Sequence, residues 1–243
     1  MFRSLRQILG YSIAAADGTL GRVHDFYFDD SVWTIRYLVV NLSRWLVGRQ
    51  VLIPPLLAGE PDWRTRIVPV YLTAKQIRQR PTADCDPPVC VQRQCTVVSC
   101  FDWAPAWAAA GGSILPMPSS AVILAEPSDD DGGNPHLRSV REVLGYTVEG
   151  VGDNVGYVDD FLAATEDWSI RDIVVDTRNA PRHRKVLITP GRVKGVDWAE
   201  KRVHVDMTVV DLGKCPRFDP SAPVNRHHEV RLYDCYGRPR PSG

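Results

Sequence analysis

The amino-acid sequence predicts an all-β protein built as two tandem small β-barrels with short helices and extended tails. The first observation behind this is an internal repeat. At an offset of 135, Leu5-Arg6-Gln7-Ile8-Leu9-Gly10-Tyr11 falls on Val140-Arg141-Glu142-Val143-Leu144-Gly145-Tyr146, and Gly21 to Phe26 falls on Gly156 to Phe161. Trp33 to Arg36 likewise falls on Trp168 to Arg171, and Asp62-Trp63 on Asp197-Trp198. Positions 5–81 hold 24 identities in 77 without a gap, which marks two copies of one structural unit. The second observation is strand patterning: short runs with apolar residues at alternate positions, cut by frequent turn signals. The third is the lack of any long helical pattern. A unit this small is best protected by closure, because a closed barrel has no exposed sheet edge.

The repeat sets the expected domains: 1–81 as the first repeat, 82–139 as a tail and flexible linker, 140–216 as the second repeat and 217–243 as a docking tail. In the first repeat, Ser12 to Ala15 reads as a short strand, and Asp17-Gly18 as the tight turn after it. Gly21 to Phe28 reads as a strand with Val23 and Tyr27 on one face and His24, Phe26 and Phe28 on the other. Trp33 to Asn41 has the clearest alternation, with Trp33, Ile35, Tyr37 and Val39 sharing a face. Val51 to Ile53 and Arg66 to Leu72 are further strands. Thr73-Ala74-Lys75-Gln76 has the capping-box spacing of a short helix, stopped by Pro81. The second repeat keeps this plan with strands Gly156 to Leu162, Trp168 to Asp176, Lys185 to Ile188 and Arg202 to Met207. The stretch from Ala104 to Leu137 is rich in Ala, Gly, Pro and Ser, as flexible linkers are.

Lys+Arg and Asp+Glu both number 29, a balance unlike that of a dedicated nucleic-acid binder. The charge is uneven: positions 5–81 hold ten basic and six acidic residues, and positions 140–216 hold eleven and thirteen. The two frameworks therefore carry different surfaces. The N-terminus lacks the apolar run of a signal peptide, and no stretch approaches the ~18 apolar residues of a membrane span. The expectation is a cytoplasmic protein, whose six cysteines are then thiols.

Gly10-Tyr11, Asp17-Gly18, Gly21-Arg22-Val23-His24-Asp25-Phe26 and the run from Trp33 to Val40 resemble the PRC-barrel domain. That family is named for the cytoplasmic part of the photosynthetic reaction-centre H subunit and includes a domain of the 16S rRNA ribosome maturation factor. The second copy matches too. Its tail, Asp219 to Arg226 and then Tyr233 to Pro239, resembles the ending of stand-alone bacterial proteins with two PRC barrels. The chain departs from both named relatives, since it has no membrane helix and no preceding domain of the ribosome-factor type. The resemblance implies a non-enzymatic protein-contact module with no catalytic, cofactor or metal residues to carry over.

Each chemical candidate has a plainer structural reading. Cys85, Cys90, Cys95 and Cys100 recur every five residues, whereas structural zinc sites pair ligands two to four apart. The expectation is thiols without metal or organic cofactor. None of His24, His136, His183, His204, His227 and His228 sits with Ser or Cys in a nucleophile motif. Asp25 and Asp160 fall at matching positions in separate repeats, which favours a framework role accepting backbone N–H bonds over acid–base chemistry. Arg182-His183-Arg184-Lys185 is the best basic patch and is small for phosphate recognition. Trp33, Trp63, Trp168 and Trp198 sit at equal spacing in the copies, which favours packing over base stacking. Three function classes follow: an assembly module, at the cytoplasmic face of a membrane or beside an electron-transfer complex; a ribosome- or RNA-associated factor; and, least supported by the ligand spacing, an enzyme or metal protein using the cysteine cluster. The expected partner is a protein, and the expected assembly is a homodimer or an intramolecular pseudo-dimer.

Overall fold

The computed structural model describes residues 2–42, 49–78, 136–177, 184–215 and 217–219. These residues form two mixed sheets with a few short helices, an all-β architecture. The chain divides into two compact units. The first-repeat unit holds Ile8–Ser139 with Glu166–Trp168, and the second-repeat unit holds Met1–Gln7, Val140–Thr165 and Ser169–Gly243. Each unit thus includes a segment that precedes the other repeat. The linker and the cysteine run from Cys85 to Cys100 lie outside the described residues.

In the first-repeat unit, β2 (Ser12–Ala15), β3 (Gly18–Asp29), β4 (Thr34–Asn41), β5 (Gln50–Ile53) and β6 (Ile67–Pro69) lie in the order β5-β4-β3-β2-β6. The long strand β3 organises the sheet. One edge pairs with β4 from Arg22↔Asn41 to Asp29↔Thr34. The other edge is shared: β2 covers its start, and β7 (Leu137–Ser139) covers its end through Tyr27↔Ser139, Phe28↔Arg138 and Asp29↔Leu137. The register of β3 on β4 shifts between Val23 and Asp25 and again between Tyr27 and Phe28. The first shift leaves His24 as an extra residue in β3, the second leaves Arg36 as an extra residue in β4, and each such bulge bends its strand. The expected two-face alternation of β3 therefore ends at His24, and Asp25 to Asp29 are all buried. The short helix α2 (Ala74–Arg78) has the expected cap, since Gln76 accepts the Thr73 N–H at 2.8 Å and donates its own N–H to Thr73 Oγ1 at 3.3 Å.

The second-repeat unit has the order β11-β10-β9-β8-β13-β12, with β1 attached to β9. Its strands are β1 (Phe2–Ser4), β8 (Thr147–Glu149), β9 (Asn154–Ala164), β10 (Ile170–Asp176), β11 (Lys185–Ile188), β12 (Val193–Asp197) and β13 (Arg202–Val205). Helix α1 (Leu5–Ile8) follows β1, α3 (Val140–Val143) follows β7, and α4 (Val209–Lys214) follows β13. The pairing registers keep the sequence offset of 135. Val193↔Val205 and Asp197↔Arg202 in β12–β13 stand where the first-repeat unit has isolated bridges Ala58↔Val70 and Asp62↔Ile67. The apolar alternation expected for Arg202 to Met207 appears as buried Val203, Val205 and Met207 between exposed His204 and Asp206. Gly21 and Gly156 are also equivalent. A Cβ on either would meet a backbone carbonyl oxygen at 2.3 Å, of Asn41 or Asp176 respectively, so the crossing strand leaves room only for glycine.

Neither sheet closes into a barrel among the described residues: one ends at β5 and β6, the other at β11 and β12. The tryptophans expected to open strands do not lie in them. Trp33 and Trp168 precede β4 and β10 in turns, with left-handed φ of 54° and 55°. Of the expected docking tail, 217–243, only residues 217–219 are described. Arg217 bridges Val186, the Phe218 N–H donates to the Lys185 carbonyl at 2.8 Å, and the Phe218 ring is buried. Residues 220–243 lie outside the described residues.

Candidate functional site

Two repeat-equivalent aspartates, Asp25 and Asp160, are buried polar groups within the sheets. Asp160 sits on β9, where a bulge turns the backbone, and its Oδ1 accepts the N–H of Phe161 at 2.7 Å and of Arg6 at 3.0 Å. Its Oδ2 accepts the Ser4 hydroxyl. Asp25 repeats this on β3, with Oδ1 taking the Phe26 N–H at 2.7 Å and Oδ2 the Ser139 hydroxyl. The framework role expected of this pair is what the geometry shows: each carboxylate fastens a lead strand to the long strand of its sheet. Burial raises the pKa of Asp160, and the hydrogen bonds from Ser4, Arg6 and Phe161 pull it only partway back. Ser4 and Ser139 went unread as functional residues, although they too match at the repeat offset.

A cleft of about 370 Å³ opens beside this clamp in the second-repeat unit, lined by Arg6, Leu144, Gly145, Tyr157, Asp159 and Asp176. The position of Asp159, next to Asp160 on β9, places its side chain toward the cations. It accepts from Arg6 at 2.8 Å and from Lys185 at 2.6 Å. Asp159 thus stands between two cations, and Asp176 is the second carboxylate of the lining. Among the described residues its lining includes no histidine, cysteine or serine.

The basic patch divides. Arg182 and His183 lie outside the described residues. Arg184 donates to the Leu212 carbonyl, and Lys185 belongs to the Asp159 pair, so both are structural within the unit. Among the histidines, His136 Nδ1 meets Asp30 at 2.7 Å and His204 Nδ1 meets Glu149 at 3.4 Å. His24 is half-buried at the first bulge of β3, and His227 and His228 lie outside the described residues. Cys215 is a buried thiol whose Sγ donates to the Asp211 carbonyl at 3.5 Å. Among the described residues no group of three His, Cys, Asp or Glu is placed to hold a metal ion.

The tryptophans separate into three kinds. Trp168 is buried and packs on Phe26 with centroids 6.0 Å apart; Trp33 is half-buried and stacks on Phe28 at 5.6 Å. Trp198 packs on Tyr146 at 5.9 Å. Its repeat equivalent Trp63 corrects the expectation of packing, being 58% exposed with the Arg64 guanidinium 5.1 Å from its ring centre. Equal spacing in sequence missed this difference because the surroundings differ. Tyr71 and Leu56 of the first-repeat unit are 73% and 43% exposed, where the second repeat has Asp206 and Gly191. Asp206 is instead paired with Lys194 at 3.3 Å.

No protein-family model and no curated protein matches the chain. Among the described residues no helix is long and apolar enough to cross a membrane.

Proposed function

We propose that the chain is a non-enzymatic interaction module of two PRC-type barrels in tandem, which holds a protein assembly at the cytoplasmic face of a membrane or beside an electron-transfer complex. The observation that carries this reading is the exposure of Trp63, with Tyr71 and Leu56, on the first-repeat unit. Trp, Tyr and Arg are the residues that most often dominate binding energy at protein contacts. At the same positions the second-repeat unit has the packed Trp198, the polar Asp206 and Gly191, so among the described residues this aromatic exposure belongs to the first-repeat unit alone. The barrel reading is supported by the two bulges of the β3–β4 ladder, one in each strand, and by the shared strand order and register, since bulges curl a sheet toward closure.

The test is affinity capture from cell extract with the full-length protein and with Trp63→Ala/Tyr71→Ala, each with and without nuclease, followed by mass spectrometry. Both side chains are exposed, so the double variant should melt within about 1 kcal/mol of wild type. Loss of specific proteins from the variant capture is the expected result. Identical captures refute the surface, and loss of the captured set on nuclease treatment favours the ribosome- or RNA-associated alternative.

A further inference from the structure

The lead strands β1 and β7 stand apart from the other strands in origin. Residues Phe2, Arg3 and Ser4 pair with Ala164, Ala163 and Leu162 of β9. Residues Leu137, Arg138 and Ser139 pair with Asp29, Phe28 and Tyr27 of β3. Adding 135 to the β3 partners gives the β9 partners, so one docking geometry occurs twice. In each case the seated strand comes from the segment that leads into the other repeat. The anchors correspond: the Ser4 hydroxyl on Asp160 and the Ser139 hydroxyl on Asp25, each followed by a fully buried apolar residue, Leu5 or its equivalent Val140. The position before the common Arg-Ser pair is Phe2 in one strand and Leu137 in the other, so the slot tolerates a change of apolar anchor. Such a slot is a β-augmentation site, in which main-chain bonds supply affinity and a few side chains supply selection.

We propose that the slot on β9 accepts the lead strand of a second copy of this chain, so that two molecules reciprocally exchange Phe2–Ser4. The contacts in the exchanged pair are those already present in one molecule. Occupancy by the chain's own lead strand or by another's is therefore decided by effective concentration and not by a new interface. In the single chain β1 reaches a partner 156 positions away in sequence at the Ser4–Asp160 bond. A high concentration of protein, or refolding at high concentration, shifts the balance toward exchange.

Two full-length variants with complementary damage test this. Ser4→Asp sets a carboxylate against Asp160 and spoils the strand, while Asp160→Ala spoils the slot. In a mixture, only the strand of the second variant and the slot of the first form an undamaged pair. The two are refolded together from urea and read by native mass spectrometry with distinct mass tags. The expected result is a heterodimer at least fivefold more abundant than the mean of the two homodimers. A statistical distribution, or monomers alone, overturns the proposal. If circular dichroism shows that either variant fails to fold, the second arm titrates a fluorescent peptide of residues 1–11 onto the wild-type chain. Saturable binding, weakened at least threefold by Ser4→Asp in the peptide, supports the proposal. No binding, or equal binding of the two peptides, overturns it.

Discussion

Replacing Trp168 tests burial and backbone conformation at one position. Its ring is 6% exposed and lies against Phe26, while its carbonyl accepts the Ile35 N–H at 2.9 Å. Trp168→Ala keeps the backbone bond and removes the ring, at an expected cost of ~3–5 kcal/mol for a packed aromatic. Trp168→Gly removes the same ring but releases the left-handed strain at φ 55°. That strain is worth roughly 1–2 kcal/mol for an L residue, and glycine's greater freedom in the unfolded chain returns roughly 0.5–1 kcal/mol of it. Trp168→Gly should therefore be the more stable of the two by about 0.5–1 kcal/mol, against the usual order. The control is Val39 in β4, fully buried and extended, where Val39→Gly should be worse than Val39→Ala. Urea unfolding followed by circular dichroism gives all four values. The reasoning fails if Trp168→Gly is less stable than Trp168→Ala, and burial itself fails if Trp168→Ala unfolds like wild type.

Gly156→Ala should destabilise by more than ~2 kcal/mol, because the new methyl meets the Asp176 carbonyl oxygen at 2.3 Å and the neighbouring atoms, Asp176 C and Thr177 Cα, are backbone too; a melt unchanged from wild type would refute this. Phe218→Ala should cost about 3 kcal/mol as the tail's first anchor is lost, and a variant within about 0.5 kcal/mol of wild type would make the tail an appendage. Asp160 has a raised pKa, so its contribution to stability is complete below 3.8 and is lost as pH rises through its folded-state value. Asp29 has the opposite sign: burial works against its charge, but the Ser31 and Arg36 hydrogen bonds outweigh it, and its stabilisation is lost as pH falls below 3.8. Urea unfolding against pH should show Asp160→Asn gaining on wild type as pH rises from 3.8 to neutrality, and a parallel pair of curves would refute the assignment.

The repeat made much of the strand plan legible, because alternation and turn residues act locally. Lys185–Ile188 and the alternation of Val203 and Val205 needed nothing beyond their neighbours. The bulge at His24 was not legible, since it arises where two strands of different curvature must stay paired. Trp33 and Trp168 read as strand residues by alternation, yet each sits in a left-handed turn held by the ring beneath it. The fate of the four tryptophans depends on what the rest of the sheet places under each ring, which spacing does not encode. The lead strands were the least legible feature. Asp25 and Asp160 offer the same clamp, and Ser4 and Ser139 the same hydroxyl, so the sequence is equally consistent with each lead strand serving its own repeat.

That arrangement constrains the order in which a growing polypeptide acquires structure. When the ribosome has delivered the first repeat, β3 still lacks the strand covering its end, because Leu137–Ser139 has yet to be synthesised. Strand β1 is synthesised before both repeats, and its partner β9 appears more than a hundred residues later. Phe2–Ser4 must remain unengaged through most of translation, or hold a provisional place that it later leaves. A gene cut in the linker would yield two halves, each carrying a strand that the other's sheet requires. Co-expression of those halves, and not either alone, is the arrangement that restores both sheets.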